Sequence, residues 1–194
     1  DLDRCNGTLY LAFDSVLHFH GDAIVNAANT GCLGGGGIDG MVNVLGGEEL
    51  YQARKALPVI DGGSDDAYNA YGMRCATGDA KITIAGKLPC SKIIHAVGPR
   101  FGCCEHAAPL IELEMAYKSA MDRARENGLS SVGFCIISAG IFRGTCPLET
   151  IVKTALVSIA KYAYIGLKTV VLCGYTPEER RAITELVEPS GSGS

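Results

Sequence analysis

The chain has 194 residues, 47% of them hydrophobic, enough for one well-buried core and short for two. No apolar run approaches the ~20 residues of a membrane span, and no basic segment followed by an apolar one opens the sequence as a secretory leader would. A formal charge of −4 weighs against a dedicated nucleic-acid binder. It leaves room for a small anion, because backbone amides hold phosphate without Lys or Arg.

In chain order, residues 8–12 read as a first strand. The run 22–29, Asp-Ala-Ile-Val-Asn-Ala-Ala-Asn, is apolar and ends polar, the pattern of a buried strand meeting a ligand loop. Four glycines follow, and beyond them 38–45 and 48–57 are expected to be helical. Residues 58–72, rich in Gly, Asp and other breakers, read as a surface loop or insertion. Two β-branched stretches, 81–85 and 92–97, are expected strands. Helical spacing over 109–127 puts Leu110, Leu113, Tyr117 and Met121 on one face, with Gly128 as the stop. Next come a continuous apolar strand at 132–137, a helix at 147–164, a buried strand at 168–173 and a helix at 177–187. This alternation predicts one layered α/β domain over 1–188. Residues 189–194 read as a flexible Gly/Ser linker or cloning scar, and the chain as a domain cut from something longer.

Nine cysteines, an odd number without regular spacing and with no C-x-x-C pair, argue against a disulfide framework or a zinc ribbon. They read as reduced thiols of a cytoplasmic or nuclear protein, with Cys135 and Cys173 as small core hydrophobes. His18 and His20 read as surface or half-buried strand side chains, so no metal site is expected.

The chemistry concentrates in two loops. Gly34, Gly35, Gly36 and Gly37 remove every Cβ from a segment entering a helix, so its backbone can approach a ligand and aim several N–H groups at it. The helix N-terminus behind them favours negative charge, which makes a phosphate the natural occupant. No Gly-Lys-Ser/Thr follows, so this is not a Walker A loop, and the dinucleotide fingerprint fits poorly. A second loop, Ser138-Ala139-Gly140-Ile141-Phe142-Arg143-Gly144, also leaves a buried strand and precedes a helix. Two such loops at the ends of parallel strands can grip a diphosphate from both sides, with Phe142 as an apolar wall against a sugar.

Three stretches resemble signatures of the macrodomain family, in particular its MacroD-type hydrolases: 22–40, 77–83 with His95 to Pro99, and 138–142. Together they cover the chain from about 8 to 179. The resemblance implies a three-layer α/β/α fold around a mixed central sheet, with ADP-ribose, free or attached to protein, as partner. Carried over, Gly34 to Ile38 and Ser138, Ala139, Gly140, Ile141 and Phe142 would hold the diphosphate, and Ile24 would contribute to the binding surface. Asn29 would bind the distal ribose and Asp39 would be the catalytic carboxylate. Asp14 is the candidate for adenine, although the segment from it to Asp22 is a residue longer than in relatives, and Tyr175 would stack on the base. Asn43 stands where many relatives carry His, and Arg143 interrupts the usual Ile-Phe-Gly run. Arg143 could meet an attached protein, pair with a phosphate or be solvated.

These residue types suit the chemistry on their own terms. A carboxylate activates water or stabilises positive charge at an anomeric carbon, and an amide fixes ribose hydroxyls. The expected activity is metal-independent hydrolysis of mono-ADP-ribosyl esters on acidic residues or of O-acetyl-ADP-ribose, by a monomer without a cofactor. The alternatives are a non-catalytic ADP-ribose reader and an ADP-ribose-1″-phosphate phosphatase.

Overall fold

A computed structural model describes residues 6–61, 71–102 and 109–188. The tail at 189–194, most of the expected 58–72 loop, and Cys5, Cys103 and Cys104 lie outside these residues. The strands are β1 (Thr8–Ala12), β2 (Ala23–Ala27), β3 (Ala80–Ile84), β4 (Lys92–Ala96), β5 (Ser131–Cys135) and β6 (Thr169–Cys173). The helices are α1 (Gly37–Lys55), α2 (Pro109–Glu126), α3 (Leu148–Lys161) and α4 (Pro177–Val187). The six strands form one sheet in the order β1-β6-β5-β2-β4-β3. β3 runs antiparallel to β4 and the other neighbours are parallel, so the sheet is mixed.

Strand alternation divides the core between the two faces. Val25 of β2, Ile94 of β4, Phe134 of β5 and Leu172 of β6 pack with Leu113, Tyr117, Ile151 and Ile183 from α2, α3 and α4. Ile24, Ile93, Cys135 and Cys173 face the other way, against Val42 and Leu50 of α1 and the short 3₁₀ turn Val16–His18. The result is three layers, α/β/α.

Local chemistry sets the ends. Gly128, at a φ of 64°, closes α2. α4 opens with a capping box in which the Thr176 side chain accepts from the Glu179 amide, and Pro177 fills the first helical position. Two expectations are corrected. β5 stops at Cys135 rather than at 137, because Ser138 takes a positive φ of 61° and turns the chain. Leu110, in the first turn of α2, is exposed; the buried stripe is Leu113, Ala116, Tyr117, Ala120, Met121 and Ala124.

The helical stretches expected at 38–45 and 48–57 form one run, α1, broken at Gly47 (φ 75°, ψ −168°). That backbone conformation is open to glycine and strained for other residues. It breaks the run into two helical segments that meet at a kink, and the functional site depends on it.

Candidate functional site

The carboxyl ends of β1, β2, β4, β5 and β6 share one edge of the sheet, where a cleft of about 810 Å³ opens. An open parallel sheet presents its loops and helix N-termini at this edge, where ligands usually bind. The loop from β2 into α1 contributes Ala28, Asn29, Gly35, Gly36, Gly37, Ile38 and Asp39. The loop after β5 lies across from it with Ile136 to Phe142. Ser15, Leu17 and His18 form one end wall with Tyr175 and Glu179, and Met41 and Leu45 of α1 continue it.

Two sequence candidates stand outside this lining. Ile24 is fully buried in mid-strand, within the core under α1. Asp14 is exposed at the rim, where its carboxylate accepts from the Ser15 amide and meets His18 Nδ1 at 3.2 Å. The Ser15 amide, first among the causes, and His18 hold the Asp14 carboxyl below its usual range. Gly34 is also outside the lining; its carbonyl accepts a 2.8 Å hydrogen bond from Asn29 Nδ2. Asn29 Oδ1 accepts from the Cys32 amide at 3.2 Å, so this side chain shapes its own loop at both ends.

The glycines differ in what they permit. A Cβ on Gly40 would sit 2.6 Å from the Gly35 carbonyl, and one on Gly35 would sit 3.0 Å from Asn29 Nδ2. One on Gly36 would meet nothing within 4 Å, so at that position the space beside the backbone is free for a ligand. Gly36 precedes α1 in an extended conformation, and no side-chain hydrogen bond caps this helix start.

Asp39 lies in the first turn of α1 and is buried. Its Oδ1 receives two donors, Arg54 Nη2 at 2.6 Å and Asn26 Nδ2 at 2.7 Å. Its Oδ2 is buried and accepts no hydrogen bond from the described residues. Behind Asn26 sits His95, buried, with Nδ1 at 3.2 Å from Asn26 Nδ2 and Nε2 at 2.9 Å from Thr83 Oγ1. Thr83 Oγ1 donates to the Ile84 carbonyl, so the consistent assignment is a neutral ring that accepts at Nδ1 and donates at Nε2. Burial first, and the Arg54 charge second, press the His95 pKa well below its ordinary value.

Arg54 was read from sequence only as part of a helix. It is fully buried, with Nε donating to the Cys32 carbonyl at 2.5 Å and Nη1 to Asn43 Oδ1 at 2.8 Å, besides the Asp39 contact. Asn43 in turn donates to the Leu33 carbonyl. A buried cation must find such partners, but nothing local in the sequence marks which ones.

The second loop is equally fixed. Ser138 Oγ donates to the Pro99 carbonyl at 2.8 Å, and glycine at 98 leaves room for that hydroxyl. The Ile137 amide donates to Tyr117 Oη at 3.0 Å, a polar task for a residue expected only to pack. Burial pushes the Tyr117 phenol upward, so it remains a neutral acceptor. Arg100 lies 4.7 Å over the Phe142 ring. Arg143 pairs with Glu178 of α4 at 3.2 Å, tying this loop to the next helix. Ile141 and Tyr175 are exposed at the rim. Among the described residues, no group of three or more His, Cys, Asp or Glu side chains is placed to hold a metal ion, and no helix is long and apolar enough to cross a membrane.

Comparison with known proteins places this geometry among relatives. The sequence profile of the Macro domain family matches residues 25–155. A macro domain-containing protein of Vibrio parahaemolyticus is 39% identical over 77% of this chain and 81% of its own length. An O-acetyl-ADP-ribose deacetylase of Escherichia fergusonii is 35% identical over 88% of this chain and 89% of its own. A Trypanosoma brucei macrodomain solved in complex with ADP-ribose superposes with a TM-score of 0.76 at 30% identity, covering 93% of this chain and 69% of that one. An Oceanobacillus iheyensis macrodomain with ADP superposes with a TM-score of 0.77 at 26% identity, covering 93% and 90%.

Proposed function

The chain belongs to the Macro domain family, and from that premise we propose that its cleft binds ADP-ribose and hydrolyses acyl esters of it, either O-acetyl-ADP-ribose or mono-ADP-ribosyl groups on acidic side chains. The observation that carries this reading is the arrangement of the cleft. Two loops face each other across the carboxyl edge of the sheet, and Asp39, in the first turn of α1 just past the glycine run, has one oxygen that no described residue engages.

The diphosphate lies between the 35–38 and 138–142 loops, where glycines allow backbone amides to approach and α1 presents its positive end. The distal ribose is held against Phe142 and near Asn29, which brings the ester to Asp39. The base occupies the end wall of Leu17, His18 and Tyr175. Asp14 serves only from the rim, because its carboxylate is already engaged by Ser15 and His18.

Ester hydrolysis adds the oxygen of water to the acyl carbon, breaks the bond from that carbon to the ribose oxygen, and returns a proton to that oxygen. Asp39 Oδ2 is the acceptor that orients or deprotonates the water, since Oδ1 is occupied by Arg54 and Asn26. The test is release from O-acetyl-ADP-ribose and from proteins ADP-ribosylated on Glu/Asp, Ser or Arg. Turnover of the two acyl esters, with the Ser and Arg linkages left intact, is the expected result. Tight ADP-ribose binding with no release from any substrate makes the protein a reader instead.

A further inference from the structure

We propose that Arg54 is the positioning residue of this site, acting through Asp39; the assignment rests on the hydrolytic reading above. Asp39 and Arg54 belong to the same helical run, 15 residues apart. A straight helix would separate them by roughly 22 Å at ~1.5 Å per residue. The kink at Gly47 redirects the second half of α1, and the last turn delivers a guanidinium to the carboxylate in the first.

That guanidinium does more than neutralise a buried acid. Its rigid fork is held at three points: the Cys32 carbonyl, Asn43 Oδ1 and Asp39 Oδ1. Through Asn43 it also reaches the Leu33 carbonyl. One side chain therefore fixes the two peptides that lead into the glycine run and the carboxylate beyond it. Asn26 adds a second donor on the same oxygen, Oδ1, and is itself backed by neutral His95. With Oδ1 twice engaged, the carboxylate plane is set and Oδ2 is the oxygen left on the side of Gly35, whose missing Cβ would lie 3.5 Å from it. The phosphate grip and the acceptor of the water proton are thus held in one register by a residue that lines no part of the cleft.

A purely structural ion pair and a positioning residue differ in what they control. The first changes stability and affinity. The second changes the rate of the chemical step once substrate is bound, and only while Asp39 is present. Arg54→Lys keeps the charge but replaces a three-point fork with a single rotating ammonium. The measurement is single-turnover release from O-acetyl-ADP-ribose at saturating enzyme, beside calorimetry with ADP-ribose and thermal melts. Arg54→Lys is expected to slow release by roughly 10²-fold, the effect of misplacing a reacting group by about an ångström. In an Asp39→Asn background the same change is expected to leave the residual rate within about threefold.

A wild-type rate for Arg54→Lys at saturation, whatever its Kd, overturns the assignment to Arg54 and leaves the hydrolytic reading intact. Equal slowing in both backgrounds overturns it as well. If Arg54→Lys does not fold, the neutral pair Asp39→Asn with Arg54→Gln replaces it. Release from that pair at the rate of Asp39→Asn alone supports the proposal, and markedly slower release overturns it. A wild type that binds ADP-ribose and releases nothing sinks the hydrolytic reading and this proposal together.

Discussion

The side-chain amide of Asn29 donates from Nδ2 to the Gly34 carbonyl, 2.8 Å away, while its Oδ1 accepts from the Cys32 amide at 3.2 Å. The residue expected to hold the distal ribose thus also closes the loop proposed to face the diphosphate. Asn29→Ala should therefore weaken ADP-ribose binding as well as slow turnover, with a loss of roughly 1–2 kcal/mol in affinity from the loop bonds. Calorimetry and single-turnover release on the same variant check this. Unchanged affinity with lost turnover would confine Asn29 to the chemical step.

Asp39 calls for two substitutions because Arg54 is buried behind it. Asp39→Asn keeps an oxygen toward the guanidinium and should fold, retain ADP-ribose affinity within a few-fold, and lose roughly 10²–10⁴ in turnover. Asp39→Ala leaves a buried cation without its carboxylate and should cost about 3–5 kcal/mol of stability as well. Urea unfolding separates the two. Equal stability of both variants would mean that the Arg54 fork finds another partner.

The glycines give a contrast between binding and folding. Gly36→Glu meets open space and should melt like wild type, yet abolish ADP-ribose binding by placing bulk and negative charge where the diphosphate belongs. Gly40→Ala would drive a methyl into the Gly35 carbonyl and should destabilise the fold by roughly 1–3 kcal/mol. Normal calorimetry from Gly36→Glu would show that ligand does not pass over this stretch.

Stability should also depend on His95. Its folded-state pKa is depressed by burial and by Arg54, so the unfolded chain takes up the proton first as the pH falls. The contribution is complete above the ordinary histidine value of 6.5 and is lost below it. The slope for this one group is about 1.4 kcal/mol per pH unit until the folded pKa is reached. Denaturant melts of wild type and His95→Gln at neutral and mildly acidic pH test it. The wild type should lose more stability than the variant, and parallel losses would mean that His95 is protonated in the fold.

Periodicity and punctuation in the sequence already define the layers, because strand and helix spacing and the stop at Gly128 are local properties. The two glycine-bearing loops are legible for the same reason, whereas the roles expected of Asn29 and Asp39 come from the resemblance to macrodomain sequences. What the sequence leaves open are contacts made at long separation by residues with ordinary local readings. Arg54 looks like one more helix cation, Tyr117 like core, and Ile24 like part of a binding run. The kink at Gly47 lets Arg54 be buried against Asp39, parallel pairing seals Ile24 within the sheet, and packing of α2 lends the Tyr117 hydroxyl to Ile137. Each outcome depends on which buried polar or apolar group has no other partner within reach, and only the assembled tertiary structure decides that.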